Sequence, residues 1–447
     1  MNAYALCQIK HVNLIKMKKR IIFIGVILAV VYSITFISCE NEKILTPEQN
    51  NAEIVKKNNP LLSEFATLVA NSVKKVEGRE FIKKEVLKQF DGDYDMLMAE
   101  AIKKPVNSQY KSTNGITFGE FLEQNYYEGT KRLKSKKDEF DIFMDELLET
   151  HPLVQISVPE VFEKSTEEWN IEKHEPLIAF LPKDYDEQET KKIPAYDREG
   201  NFQYIDAINP PEEPVIVIGF NESLIAVRKG AEDNETKMIE PCLTPYYETT
   251  THSYLMPIDC GGGYGGGSGG GSGGGSRSCD RDNNSQRDHL KKARFVSKSA
   301  WRQVESWPNG RPEFRVFITF TEKQNGNYTA KKIRKVLSKD GWLRRYVIYN
   351  EIKTKHLNIP IFTWDKERYG ESVLYSWYEH DNSNGETEIG LEANYSYEDV
   401  QISNTIKTKI SDKTVLCGDS YVQYCHDTDG DGELYIPGIV KFWINQQ

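Results

Sequence analysis

The chain has 447 residues, of which 38% are hydrophobic and 28% are charged, and its formal net charge is −10. This length allows two or three domains with more than one core, and the composition excludes a wholly disordered protein. The mildly acidic balance and the lack of a long basic stripe give no indication of nucleic-acid binding.

The N-terminal region has the pattern of an export signal. A basic cluster, Lys18 to Arg20, precedes an almost wholly apolar run from Ile21 to Ile37, and the small residue Ser38 closes that run. Such a pattern is typical of a secretory signal peptide, which we place at residues 17–38. Residues 1–16 are then interpreted as an extra or misassigned N-terminus without a fold.

A lone cysteine marks the change from apolar to acidic sequence. The stretch from Phe36 to Cys39 resembles a bacterial lipobox, although Phe36 stands where Leu is usual. The resemblance implies that Cys39 is acylated and becomes the mature N-terminus, so that its acyl chains anchor the protein to a membrane. We therefore expect a lipoprotein of the cell envelope, at the outer membrane or cell surface. The alternatives are an ordinary signal peptide or an uncleaved anchor helix of minimal length.

The first part of the mature chain is predicted to be helical. Residues 39–150 are interpreted as a tether followed by a small helical domain, because apolar residues recur there at helical spacing. Capping boxes begin at Thr46, with Pro47 as the first helical residue, and at Thr117. In the acidic stretch "DGDYD" (91–95), Asp93 is interpreted as a helix N-cap.

The remainder is predicted to be mainly β. Short segments rich in β-branched and aromatic residues indicate a middle β domain over residues 151–259 and a C-terminal β-sandwich over 280–447. Between them, residues 260–279 form a Gly/Ser-rich linker flanked by cysteines. The predicted class is α+β multidomain, with an N-terminal helical region followed by two mainly antiparallel β domains.

The exported location permits disulfides. The candidate pairs are Cys260 with Cys279, which would close the glycine tract into a loop, and Cys417 with Cys425. Cys242 is left without a partner, so the pairing stays open, and the alternative is that all five cysteines are reduced.

The strongest candidate site is the loop "DTDGDGE", whose acidic residues alternate along the chain. It resembles the first half of an EF-hand loop, but Gly438 stands where the bidentate glutamate should be. We predict a stiffening Ca²⁺ site with ligands from four residues, Asp427, Asp429, Asp431 and Glu433. The alternative is a plain acidic turn between strands.

Two further stretches are interpreted as loops. The acidic segment "EHDNSNGE" (379–386) is expected to be a solvated hairpin loop, and the alternative is that it shares one ion with the other acidic loop, as in C2-like modules. The stretch "GFNES" (219–223) is expected to be a turn after a strand. Trp307, which precedes Pro308, is predicted to be exposed and available for stacking on a ligand.

Four stretches together resemble a family of uncharacterised Bacteroidota surface lipoproteins: "QFDGDYDML", "HPLVQISVP", "PVIVIGFNES" and "VESWPNGRPEF". The family supplies no activity or catalytic residues, and the chain has no metalloprotease, nucleophile-elbow or nucleotide-binding motif. The favoured function is a non-catalytic, lipid-anchored envelope protein whose calcium-supported β domain binds a protein or glycan partner. The alternative is an envelope hydrolase, a peptidase or glycoside hydrolase, with a site between the β domains.

The lipid anchor is directly testable. Mass spectrometry of the protein purified from its native membrane is expected to show an acylated Cys39 as the first residue. Recovery of an unmodified peptide that continues through Cys39 would contradict lipidation.

Overall fold

The computed structural model describes residues 47–107, 115–130, 137–160, 166–187, 189–230, 243–257, 286–339, 342, 354–381, 385–425 and 435–446. The chain divides into two units, Met1–Ile54 and Val55–Gln447, and the features below belong to the second, except for the first part of the helix Pro47–Asn58. The predicted signal peptide, the lipidation site Cys39, the linker cysteines Cys260 and Cys279, and the loop from Asp427 to Glu433 lie outside the described residues.

The N-terminal part is helical, as predicted. Within the described residues, six α-helices precede the second strand: α1 (Pro47–Asn58), α2 (Pro60–Ser72), α3 (Val76–Val86), α4 (Met98–Ala101), α5 (Phe118–Thr130) and α6 (Lys137–Thr150). The second capping box is confirmed, because Glu120 N donates to Thr117 Oγ1 at 3.2 Å and Thr117 N donates to Glu120 Oε2 at 2.7 Å. None of the helices in the described part of the chain has the length and apolarity needed to cross a bilayer.

The first sheet has six strands in the order β1-β2-β6-β3-β4-β5. All neighbours are antiparallel except β3 and β6. Their bounds are Asp95–Leu97, Val154–Ser157, Leu177–Phe180, Lys192–Tyr196, Phe202–Asp206 and Val215–Phe220 for β1 to β6.

Alternate residues of this sheet pack into two different cores. Ile216 and Ile218 face the helices and share one core with α2, α3, α5 and α6. Val215 and Val217 face the opposite side and pack with Trp307. Helices and sheet therefore form one packing unit across the domain boundary predicted at residue 150.

A small three-stranded antiparallel sheet follows, in the order β7-β9-β8. Its strands are β7 (Ile225–Arg228), β8 (Leu243–Glu248) and β9 (His252–Pro257). Leu224 and Tyr254 bury its inner face against Leu97 and Ala99.

The C-terminal part is an antiparallel sandwich, and the predicted α+β class is confirmed. A three-stranded sheet, β13-β10-β18, packs on a four-stranded sheet, β12-β11-β14-β17, over an aromatic core. The hairpin β15-β16 covers part of the outer face through Leu391 and Ile410. The bounds of β10 to β18 are Arg287–Phe295, Phe314–Gln324, Asn327–Val336, Lys355–Thr363, Ser372–Glu379, Glu386–Tyr397, Val400–Ser411, Val415–Gln423 and Val440–Gln446, with short helices α7 (Lys298–Trp301) and α8 (Lys366–Tyr369).

Cys417 does not form the predicted bridge with Cys425. It lies on β17 with its side chain buried in the sandwich core, and its thiol is free. Burial raises the pKa of this thiol to about 12, so it behaves as a small hydrophobic group. The two cysteines are close in sequence, but most of the residues between them belong to the extended strand β17, which separates them beyond the reach of a disulfide.

The prediction that Trp307 is exposed is also wrong. Its side chain is 0% exposed and lies in the outer core of the first sheet, where Nε1 donates to Asp206 O at 3.0 Å. We call residues 302–313, between α7 and β11, the connecting segment. Trp307 thus fastens this segment to the first sheet and is unavailable for stacking on a ligand.

Replacing Trp307 should destabilise the whole molecule. We expect Trp307→Ala to lower the free energy of unfolding by about 3–5 kcal/mol, because the substitution leaves a large cavity. Tyr204→Ala on β5, where the side chain is 37% exposed, is the control and should cost less than about 1 kcal/mol. Urea unfolding followed by circular dichroism measures both, and equal losses would contradict the assigned role of Trp307.

Candidate metal centre

Six carboxylates from distant parts of the sequence converge beside the connecting segment. We call them the carboxylate cluster: Glu187, Glu222, Glu305, Glu313, Glu379 and Asp381. Glu187 lies between β3 and β4, and Glu222 directly follows β6. Glu305 and Glu313 belong to the connecting segment, while Glu379 ends β14. The cluster therefore joins the first sheet to the sandwich.

The six side chains form three overlapping triplets. In each triplet the ligand oxygens lie within 4.8 Å of one another. The triplets are Glu187 with Glu379 and Asp381, Glu222 with Glu313 and Asp381, and Glu305 with Glu313 and Glu379. Like charges at this separation repel strongly unless protons or cations intervene.

The inner carboxylates are removed from water. Glu305, Glu379 and Asp381 are 1%, 0% and 5% exposed. Neither carboxylate oxygen of Glu305 has a hydrogen-bond donor among the described residues, and the same holds for Glu379 Oε2 and Asp381 Oδ1. Native proteins rarely leave buried polar atoms in this condition, so these oxygens require either a proton or a ligand.

Burial and mutual repulsion favour the protonated forms of the cluster. Burial raises the pKa values of Glu222, Glu305, Glu379 and Asp381 well above their ordinary range, and neighbouring carboxylates raise them further. For Glu313 the pKa is raised to about 7, mainly by burial and against the opposing effect of Lys339. A divalent cation removes this penalty by supplying positive charge.

A second group, the aspartate triplet of Asp91, Asp93 and Asp95, lies next to the cluster. Lys339 joins the two, because its Nζ lies 2.6 Å from Asp93 Oδ2 and contacts Glu313 Oε1. Although burial alone would lower it, the pKa of Lys339 is raised well above its usual value by the surrounding carboxylates, Asp93 foremost. Lys339 therefore stays protonated and offsets part of the negative charge of the aspartate triplet.

Amide side chains and two glycines complete this junction. Asn221 Nδ2 lies 3.0 Å from Asp91 Oδ2 and 2.9 Å from Gln155 Oε1. Gly310 has φ +114°, and a Cβ there would lie 2.9 Å from Asp93 Oδ1. Gly92 has φ +102°, and a Cβ there would lie 2.8 Å from Lys339 Cβ. Both positions therefore require glycine for conformation and for space.

The connecting segment is hydrogen-bonded to the outer members of the cluster. Ser306 N donates to Glu187 Oε2 at 3.0 Å, and Asn309 Nδ2 donates to the same oxygen at 3.3 Å. From the first sheet, Ser223 Oγ donates to Glu313 Oε1 at 3.3 Å. Glu187 and Glu313 thus have polar partners that Glu305 does not have among the described residues.

Sequence reasoning missed this site. Asp93 does not cap a helix, because strand β1 follows it and its carboxylate binds Lys339. The segment from Glu379 to Asp381 is buried and not a solvated loop. The predicted turn "GFNES" is a turn, but it supplies Asn221 and Glu222 to the junction. The sequence held one indication of this site: the four stretches quoted for the resemblance to surface lipoproteins all contribute residues to it.

The comparisons with known proteins leave the chemistry open. A family profile described as "Protein of unknown function (DUF3103)" matches residues 128–239, which include Glu187 and Glu222. Comparison with curated proteins and with solved structures finds no significant match to the chain.

The stability of the metal-free protein should depend on pH in a specific direction. A carboxylate whose pKa is raised in the folded state loses protons on unfolding, so stability falls as pH rises between its unfolded value and its folded value. For Glu313 this window runs from 4.5 to about 7. The pKa of Glu305 is raised in the same direction by burial and by its neighbours. With a chelator present, Glu305→Gln, which removes this carboxylate, should be more stable than the wild type at pH 8 and similar at pH 5.

The difference in stability between the wild type and Glu305→Gln isolates the contribution of the carboxylate cluster. Burial lowers the pKa values of His151 and His289, which acts on stability in the opposite direction but equally in both proteins. The depressed pKa of Asp91 acts only near and below its ordinary value of 3.8. Thermal unfolding between pH 5 and 8 gives the difference curve, and a flat curve would contradict the repulsion described above.

Proposed function

We propose that the protein is an exported, lipid-anchored protein of the cell envelope whose fold is completed by Ca²⁺ in the carboxylate cluster. The export pattern ending at Cys39 and the resemblance to surface lipoproteins support the location. The observation that carries the metal is Glu305, a 1% exposed carboxylate whose two oxygens have no hydrogen-bond donor among the described residues. Burying such a group costs several kcal/mol unless it is protonated or meets a cation.

The donor atoms favour calcium among the common cations. All six ligands are carboxylates, which suit hard ions such as Ca²⁺, Mg²⁺ and Mn²⁺ and not the softer metals that prefer thiolates. Ca²⁺ accepts six to eight oxygens in irregular geometry, whereas Mg²⁺ demands a near-ideal octahedron and keeps several waters. Extracellular calcium modules bind with dissociation constants of about 10⁻⁴–10⁻³ M, a range that suits an envelope protein.

Burial favours a structural role over catalysis. A catalytic ion keeps an open coordination position that substrate reaches, but Glu305, Glu379 and Asp381 are almost inaccessible. The cavity beside the cluster, lined partly by Tyr94, Asn309 and Arg311, is small. The hydrolase alternative therefore has weaker support than a metal that locks the first sheet to the sandwich.

Two parts of the sequence interpretation stay predictions. A further Ca²⁺ site at Asp427, Asp429, Asp431 and Glu433 lies outside the described residues. The protein or glycan partner is also untested, and the buried Trp307 no longer supports a glycan.

Calcium should stabilise the folded protein through the cluster. A ligand that binds only the folded state at about a tenfold excess over its dissociation constant, as for about 1 mM Ca²⁺ and a dissociation constant of about 10⁻⁴ M, adds about 1.4 kcal/mol. We expect millimolar Ca²⁺ to raise the Tm of the wild type above its value in chelator, and Glu305→Gln to lose most of this increase. Differential scanning fluorimetry at pH 7.5 measures both.

Glu322→Gln is the matched control. Glu322 is a 5% exposed glutamate that pairs with Arg368 and Lys331 away from the cluster. Its replacement should lower Tm by a similar amount with and without calcium. An equal calcium response in the wild type and in Glu305→Gln would remove the cluster from the proposed function.

A further inference from the structure

The overlap of the three triplets points to more than one cation position. Calcium–oxygen distances are about 2.3–2.6 Å, so two ligands of the same ion lie no more than about 5 Å apart. Each triplet meets this limit, with its oxygens within 4.8 Å. Glu305 and Asp381, however, share no triplet. An ion placed on any one triplet therefore leaves three carboxylates of the cluster without that ion.

We propose that the carboxylate cluster is a polynuclear site that binds at least two divalent cations, joined by a bridging carboxylate. The inference rests on the proposed function and adds the number and arrangement of the ions. One cation lies on the triplet of Glu305, Glu313 and Glu379. The second lies on a triplet that contains Asp381, so Glu313 or Glu379 belongs to both coordination spheres.

The buried unpartnered oxygens support two separate positions. Both oxygens of Glu305 lack a hydrogen-bond donor among the described residues, which indicates a cation on the first triplet. Asp381 Oδ1, which belongs to the other two triplets, also lacks a hydrogen-bond donor among the described residues. Glu305 and Asp381 are 1% and 5% exposed, so water does not replace the missing partners easily.

The neighbouring cationic side chains do not neutralise all of the carboxylates. Lys339 contacts Glu313 but also neutralises Asp93, so its charge is shared with the aspartate triplet. Arg315 acts electrostatically on Glu313 and Glu379, and Lys413 acts on Asp381. When the aspartate triplet that shares Lys339 is included, nine carboxylates face Lys339, Arg311, Arg315 and Lys413, and the five negative charges left when all are ionised exceed the four positive charges of two divalent ions.

The two cations can be removed separately by amide substitutions. We expect Glu305→Gln and Asp381→Asn each to weaken one cation by about tenfold or more and to leave the other bound, whereas the double variant loses both. All proteins carry Asp429→Ala, so that the predicted loop site does not contribute. Native mass spectrometry with calcium counts the ions, and thermal unfolding in chelator shows that each variant folds.

Manganese provides a second readout of proximity. Two Mn²⁺ ions that share a carboxylate are magnetically coupled, and their electron paramagnetic resonance spectrum differs from the six-line spectrum of isolated ions. We expect coupling in the wild-type cluster and its loss in either single variant. Glu322→Gln, whose carboxylate lies in another ion pair, should keep the coupled spectrum.

The outcomes separate this inference from the proposed function. Two ions with a coupled spectrum support it. A single ion, lost in Glu305→Gln or Asp381→Asn alone and with an uncoupled spectrum, would overturn the polynuclear site but leave a calcium-stabilised protein. Absence of any bound ion, together with no effect of calcium on Tm, would overturn both.

Discussion

Repulsion among buried carboxylates is the constraint on which this structure depends. Glu305, Glu379 and Asp381 are almost inaccessible to water, and three partly exposed glutamates adjoin them. A folded protein sustains such an arrangement only by protonating the acids or by supplying positive charge. Lys339 supplies one charge for the aspartate triplet and for Glu313, and the remaining oxygens require protons or a further cation. The proposed cations would supply the positive charge that these buried carboxylates lack.

The carboxylate cluster lies where the first sheet contacts the C-terminal sandwich. The connecting segment places Trp307 in the outer core of the first sheet and Glu305 and Glu313 in the cluster. Arg311 extends the same contact, because its Nη1 donates to Gly92 O and its guanidinium lies 4.8 Å from the Tyr94 ring. The proposed ion would contact ligands from the first sheet and from the sandwich, so its binding energy would add to the stability of both.

Local patterns predicted the secondary structure well. The box starting at Thr117 is a short-range interaction, and its four residues contain all the information that the hydrogen bonds require. The fold class follows in the same way from periodicity, but β6 and β11 are buried on both faces along almost their whole length, where alternation predicts half-buried strands. The domain boundary predicted at residue 150 matches the packing less closely, because strand β1, which lies within the predicted helical region, pairs with β2.

The site could not be predicted because its partners are remote in sequence. Asp93 resembles a helix cap locally, but Lys339, 246 residues away, determines its role. Glu379 and Asp381 belong to an ordinary-looking acidic loop until the fold places Glu187 and Glu305 beside them. Trp307 before Pro308 has the sequence of an exposed turn, and only the apolar face of the first sheet explains its burial. Tertiary electrostatics and packing, which no local window contains, decided each case.

Anomalous X-ray diffraction from crystals of the full chain, grown with millimolar Ca²⁺ and soaked with Tb³⁺, would test the central claim most directly. The account predicts at least one anomalous peak within coordination distance of Glu305, Glu313 and Glu379, with a second peak toward Asp381. Peaks confined to other parts of the chain, with Glu305 bonded only to protein groups or water, would contradict it.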